Sequence, residues 1–360
     1  MHRREILKGF ALLSSGLTSV RALAADDVLK VGIVYQSTIG NAGWNYQHNL
    51  SINSLENQLG KKVQVTRVEA VPDTADSERV FRQLASQGHQ IVIGTTFGYM
   101  NSLLKVAKEF PKTLFLNASG YKLAPNLSNY TANMYEGTFL AGSIAASLTK
   151  KKVLGFVAPV PIPEIFRNLN AFALGARKVD PAIVVKAVWI NAWHDPGKER
   201  MAALTLINDG ADVIIQDANS TAPVAVAQER GVFSFGWTSD MSAFGPSTCV
   251  GSVVADWSDY YLRQAKQVLA GTWKSSSEHG GVREKFADIR GLNEKLVPPA
   301  ALARFKADRA LALQGKLDPF AGPFKDSKGV QRVSAGQSLP AAERARMDWT
   351  VEGVISTSGT

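Results

Sequence analysis

The side chains that could do chemistry are few and scattered. Past the first 24 residues the histidines are His48, His89, His194 and His279, separated by tens of positions and never spaced as a zinc-ligand pair. The single cysteine, Cys249, sits in Thr248-Cys249-Val250-Gly251-Ser252-Val253-Val254. One thiol builds no intramolecular disulfide, all-Cys zinc site or iron–sulfur cluster, and in a buried strand it behaves as a small hydrophobe. No G-x-S-x-G elbow and no G-x-x-x-x-G-K-[ST] loop occurs, and no G-x-G-x-x-G follows the first strand. Gly40-Asn41-Ala42-Gly43 is glycine-rich, but bulky Trp44 stands where a phosphate cradle needs open backbone N–H groups. Asp256 and Asp259, three apart at a helix start, read as dipole-compensating residues rather than an acid/base dyad.

What recurs instead is an aromatic residue beside a small polar group, just after a predicted strand. The loops are Trp44-Asn45, Thr95-Thr96-Phe97-Gly98-Tyr99, Asn117-Ala118-Ser119-Gly120-Tyr121, Asn191-Ala192-Trp193-His194-Asp195, Gln216-Asp217-Ala218-Asn219-Ser220, Gly236-Trp237-Thr238-Ser239-Asp240 and Asp256-Trp257. In open α/β sheets ligands sit beyond the carboxyl ends of the strands, so these positions share one edge. Stacking faces with amide and carboxylate groups suit a planar, hydrogen-bonding heterocycle.

The elements that place these loops follow from periodicity. Short β-branched runs at 28–35, 63–69, 90–94, 113–117, 152–158, 183–190, 211–216, 231–235 and 248–254 read as strands. Helical stretches near 44–59, 75–87, 101–109, 135–149, 164–178, 197–208, 221–229 and 257–271 alternate with them. This rhythm, given twice, predicts an α/β protein of two similar doubly wound parallel-sheet lobes joined by a hinge, split near residues 120–150. The helix over 135–149 is rich in Ala, Gly, Leu and Ile and is expected to be buried, with Gly137 and Gly142 permitting close packing. The first lobe is expected to comprise 25–130 plus about 256–285 and the second 131–255, with 286–360 packing across both.

Residues 1–24 read as a cleavable export signal: Arg3-Arg4-Glu5-Ile6-Leu7-Lys8, an apolar stretch, then Ala22-Leu23-Ala24. The paired arginines resemble the twin-arginine motif, with a general secretory signal as the alternative. No cysteine lies near the cleavage point, so lipid attachment there is excluded, and a soluble periplasmic protein is expected. Removing Arg3, Arg4, Lys8 and Arg21 against Glu5 takes the formal charge from +9 to +6. The remaining positive residues are dispersed, with no run longer than Lys150-Lys151-Lys152 and no interleaved aromatics, so nucleic acid is not expected as a partner.

The same residues carry a family resemblance. Val31-Gly32-Ile33-Val34-Tyr35, Gly43-Trp44-Asn45, Thr96-Phe97-Gly98-Tyr99, Tyr135-Glu136-Gly137, Asn170-Ala171-Phe172-Ala173-Leu174-Gly175-Ala176, Trp193-His194-Asp195-Pro196, Phe235-Gly236-Trp237 and Gly271-Thr272-Trp273 resemble the basic membrane protein (BMP) family. These are substrate-binding proteins of ABC transporters, and the likeness is to their purine- and nucleoside-binding branch, over about residues 28–355. The resemblance implies a type I periplasmic-binding-protein fold. It places base-stacking aromatics on Trp44 and Trp193, one per lobe, with Phe97 lining the pocket, a second-lobe carboxylate on Asp240 and a first-lobe amide on Asn45. Many nucleoside-binding members carry an acid where this chain has Asn41, another where it has Ser119, and a lysine where it has Ala255-Asp256-Trp257. The implied ligand is therefore a free purine base, adenine first, rather than a nucleoside.

The expected ligand contacts are Trp44, Asn45, Phe97, Gly98, Ser119, Trp193, Asp217, Trp237, Asp240 and Trp257, with no catalytic residue, metal or cofactor. A monomer that delivers its ligand to an inner-membrane ABC permease is the expected mode of action. Two other classes compete with it: a periplasmic nucleoside or purine hydrolase using Asp217, Asp240 or His194, and a ligand sensor that docks on a receptor.

Overall fold

The computed structural model describes residues 28–358; the export signal expected over residues 1–24 lies outside them. Apolar runs without alternation make strands covered on both faces, and Ile91-Val92-Ile93-Gly94 and Val213-Ile214-Ile215-Gln216 are buried at every position.

The chain runs β1 (Leu29–Val34), α1 (Gly43–Leu59), β2 (Val63–Val68), α2 (Ala75–Ser86), β3 (Ile91–Gly94), α3 (Met100–Glu109), β4 (Leu114–Ala118) and β5 (Leu127–Ala132). It continues through α4 (Met134–Leu148), β6 (Val153–Ala158), α5 (Pro163–Val179), β7 (Val184–Trp189), α6 (Pro196–Asn208), β8 (Val213–Gln216), α7 (Ala222–Arg230), β9 (Phe233–Thr238) and β10 (Cys249–Ala255). After α8 (Ser258–Leu269) come β11 (Ser277–Gly280), β12 (Ala287–Arg290), α9 (Pro299–Leu313), β13 (Phe324–Lys325), β14 (Gln331–Val333), α10 (Ala341–Arg344) and β15 (Val354–Ser358).

Beside a two-stranded pair of β13 and β14, two large sheets form, in the orders β11-β5-β4-β3-β1-β2 and β12-β10-β9-β8-β6-β7-β15. Only β12 runs antiparallel within them. Their first five strands repeat one doubly wound order, so each lobe has a topological switch point, between β1 and β3 in one and between β6 and β8 in the other. The chain passes between lobes after β5, after β10 and after β11. At this hinge Glu136 Oε2 accepts the Val282 N–H at 2.9 Å, tying the first crossing to the third.

Helix α4 is buried along most of its length because it meets α5 backbone to backbone. A Cβ on Gly142 would lie 2.1 Å from the Phe172 carbonyl oxygen, and one on Gly175 would lie 2.1 Å from that of Phe139. Helix α6 begins as its sequence predicts: Asp195 Oδ1 accepts the Lys198 N–H at 3.0 Å and Pro196 opens the first turn. Cys249 is buried at the start of β10, and burial pushes its thiol up to about 11.

Two features differ from expectation. Strand β5 escapes notice because Leu-Ser-Asn-Tyr-Thr-Ala spends polar side chains inside the fold: Asn129 Nδ2 donates to the Lys122 carbonyl, and Ser128 Oγ accepts the Ser276 N–H. The segment after residue 285, expected to lean across both lobes, is attached to the second. β12 and β15 pair with β10 and β7, Arg304 on α9 donates to Ser143 and Ser147 of α4, and Phe320, Leu339 and Met347 pack on Phe139 and Ala171. The uncovered edge of β7 and the apolar flank of α4 give this segment more to pair with than the first lobe does.

Candidate functional site

Both switch points open on the interlobe crevice. On the first lobe, Trp44 stands in the first turn of α1 and donates its indole N–H to the Thr95 carbonyl, just past β3, at 2.6 Å. Its ring is edge-on to His48 and to Trp257, with centroids at 4.9 and 5.8 Å, which leaves it half-buried and fixed. Phe97 follows β3 and is 53% exposed; its ring lies 6.2 Å from exposed Tyr121, which follows β4. On the second lobe, Trp193 follows β7 and is 47% exposed. Phe97, Tyr121 and Trp193 are thus exposed aromatics on loops that leave carboxyl ends of strands.

One chain of contacts joins the two sides. The Trp193 carbonyl accepts from the Asn219 backbone N–H at 3.1 Å and from its side-chain amide at 3.2 Å. The Asn219 carbonyl lies where Gly43 comes close: a Cβ on Gly43 would sit 2.6 Å from it, and Gly43 also holds φ at +84°. The Gly43 N–H donates to Ser239 Oγ at 2.8 Å. Trp193, Asn219, Gly43 and Trp44 therefore form a continuous seam across the lobe boundary.

Polar groups gather beside this seam. Asp217, directly after β8, is 2% exposed and accepts from Asn168 Nδ2 of α5 at 2.8 Å. Burial pushes its carboxyl well above the usual range, and the neighbouring Glu164 carboxyl adds to the effect. Glu164 is itself raised by burial, partly offset by Arg167, whose guanidinium donates to the Arg344 carbonyl at 2.9 Å. The side-chain carbonyls of Asn117 and Asn219 are buried acceptors without a donor among the described residues.

The family model for ABC transporter substrate-binding proteins of the PnrA-like kind, Bmp, matches residues 28–305. The chain belongs to the Bmp family. Among the relatives it resembles is a purine-binding protein of Brucella abortus, 40% identical over 333 residues, covering 92% of this chain and 95% of that protein. A putative ABC transporter glucose-binding protein of Haloferax volcanii is 38% identical over 249 residues, covering 69% of this chain and 63% of that protein. An ABC solute-binding protein structure from Aeropyrum pernix aligns with a TM-score of 0.70 at 18% identity, over 82% of this chain and 94% of that one, which speaks for the fold.

Several residues expected to touch a ligand in this Bmp protein are placed otherwise. Thr238 takes a left-handed φ of +58° and reverses the chain after β9. Ser239 consequently faces the first lobe, while Asp240 is carried back toward Gly291, whose Cβ would lie 2.5 Å from its carboxylate, and caps the Ser242 N–H at 2.9 Å. Trp257 is fully buried, stacked on His48 at 5.4 Å and edge-on to Tyr130 and Phe286, so both its faces are taken by protein. Trp237 is likewise a core residue, 3% exposed. The Asn45 amide nitrogen is spent on Ser37 Oγ at 2.9 Å and on the Ser37 and Thr38 carbonyls. Gly98 admits Asp73, whose carboxylate occupies the space of a Cβ, and Ser119 sits half-buried at φ +58°.

Sequence reasoning passed over Glu164, Arg167 and Asn168. Their spacing of i, i+3, i+4 puts them on one side of the first turns of α5 and is the signal that could have found them. Asn219 and Ser239 lie within the post-strand loops, but only the turn geometry singles them out.

Behind Trp44 the aromatic cluster holds His48, whose Nδ1 lies 2.6 Å from the Tyr261 hydroxyl, itself 2.7 Å from that of Tyr130. Burial pushes the His48 pKa down to about 3. An unfolded chain takes up this proton near pH 6.5 and the native one only near pH 3, so stability falls as pH drops through this interval and levels off below it. The loss is roughly 1.4 kcal/mol per pH unit between about 6.5 and 3. Urea unfolding at pH 7 and pH 5 should show wild type losing roughly 2 kcal/mol more than His48→Phe; equal losses would place the proton elsewhere.

Proposed function

We propose that this Bmp-family protein captures a purine base, adenine first, in the crevice between its lobes and hands it to an inner-membrane ABC permease. It works in the periplasm as a soluble monomer without catalysing a reaction. The observation that carries this reading is the pair of exposed aromatics, Phe97 and Trp193, presented by different lobes along the seam that Gly43, Asn219 and Ser239 form. A flat ligand lying between the lobes covers both faces at once, so it favours the closed arrangement through contacts an open one lacks. The unpaired carbonyls of Asn117 and Asn219 are acceptors suited to the N–H groups of a nucleobase. The purine-binding relative supports the same class.

Thermal-shift and calorimetric titration with adenine, guanine, hypoxanthine, xanthine, their nucleosides and glucose tests the reading. A ligand at a hundred times its Kd adds about 2.7 kcal/mol of stability, so adenine should raise the Tm clearly. Nucleosides should be recovered chemically unchanged. A shift with glucose alone, or release of free base from a nucleoside, would replace this reading with a sugar-binding or hydrolytic one.

A further inference from the structure

Asp217 is a site carboxylate whose surroundings dictate its charge. It follows β8 at the switch point and stands two residues from Asn219, which holds the Trp193 loop. No cation pairs with it among the described residues. The charged neighbour that bears on it is a second carboxyl group, Glu164, and the side-chain donor it has is the uncharged Asn168 amide. An anion so enclosed and unpaired is strongly disfavoured, so the group keeps its proton. With Asp217 Oδ2 accepting from Asn168 Nδ2, the acid proton belongs on Oδ1. Neither Asp217 Oδ1 nor Asn168 Oδ1 takes a hydrogen bond among the described residues. The pair thus offers one O–H donor and one carbonyl acceptor.

We propose that Asp217 meets the ligand as an uncharged carboxylic acid and, together with Asn168, reads the N=C–NH2 edge of an aminopurine. The Asp217 hydroxyl donates to the ring nitrogen, and the Asn168 carbonyl accepts from the exocyclic amine. The proposal rests on the purine reading above and adds how the site chooses among purines. Adenine presents this acceptor–donor edge. Hypoxanthine inverts it, placing N–H where the ring nitrogen was and a carbonyl in place of the amine. An ionised carboxylate, offering two acceptors, would favour two adjacent N–H donors instead.

Calorimetry on wild type, Asp217→Asn and Asp217→Ala with adenine and hypoxanthine decides it. Wild type should bind adenine at least about tenfold more tightly than hypoxanthine, because the wrong edge leaves buried groups unpaired. Asp217→Ala should lose about tenfold or more in adenine affinity, and Asp217→Asn, whose amide keeps a donor beside a carbonyl, should regain most of that loss. An Asp217→Asn variant as weak as Asp217→Ala would overturn the proposal. Infrared spectra of the ligand-free protein at pH 7 read the proton without any ligand: a protonated-carboxyl band that disappears in Asp217→Asn supports it, and its absence overturns it. If wild type binds no purine, the functional reading falls as well; if it binds adenine but fails these tests, only the present proposal does.

Discussion

Trp193→Ala should weaken purine binding by about 1–3 kcal/mol, the range for loss of one base–aromatic stack, or roughly 5- to 150-fold in Kd. The same substitution should leave the ligand-free protein almost as stable as before, within about 0.5 kcal/mol, because surface side chains without packing partners contribute little. Trp193 is held through its backbone carbonyl, by Asn219, and the residue is 47% exposed. Titration calorimetry beside ligand-free melting separates the two effects. Unchanged affinity would remove Trp193 from the site. Trp44 permits no such separation, because its indole N–H secures Thr95 and its ring closes the aromatic cluster over His48.

The second large effect lies far from the crevice. Gly175→Ala and Gly142→Ala should each destabilise the fold by about 3 kcal/mol, the upper end for overpacking a filled interior. The Tm should fall on the order of 5–10 °C. Each new methyl would meet a main-chain carbonyl oxygen at 2.1 Å, and a carbonyl inside a helix cannot swing aside as a side chain can. Gly197→Ala serves as the control, since its Cβ would meet only Asp195 Oδ1, at 3.4 Å. Equal melting of all three variants would show that α4 and α5 can separate without cost.

The alternation of strands and helices was legible because the apolar runs of a parallel sheet are continuous, and nine of these strands match expected positions closely. Strand β5 was not, because Ser128 and Asn129 are satisfied by Ser276 and Ser277, distant in the chain, and local pattern carries no trace of them. The site shows the same division. That Trp44, Phe97 and Trp193 leave strand ends could be read from where each apolar run stops. Which way a loop residue faces could not: one left-handed residue, Thr238, exchanges Ser239 for Asp240 at the lobe boundary. Trp257 follows β10 and Trp237 lies within β9, yet both are core residues, and His48, Tyr130 and Phe286, all distant in the chain, cover Trp257.

The hydrogen bond from the Gly43 backbone to Ser239 Oγ joins the lobes directly. It weights the closed arrangement against the open one, and an observed affinity is the intrinsic one scaled by the fraction of molecules competent to bind. Because that bond must break before the lobes part, it also lengthens the residence time of whatever lies between them. Ser239 thus sets part of the cost of opening the lobes independently of any stacking contact.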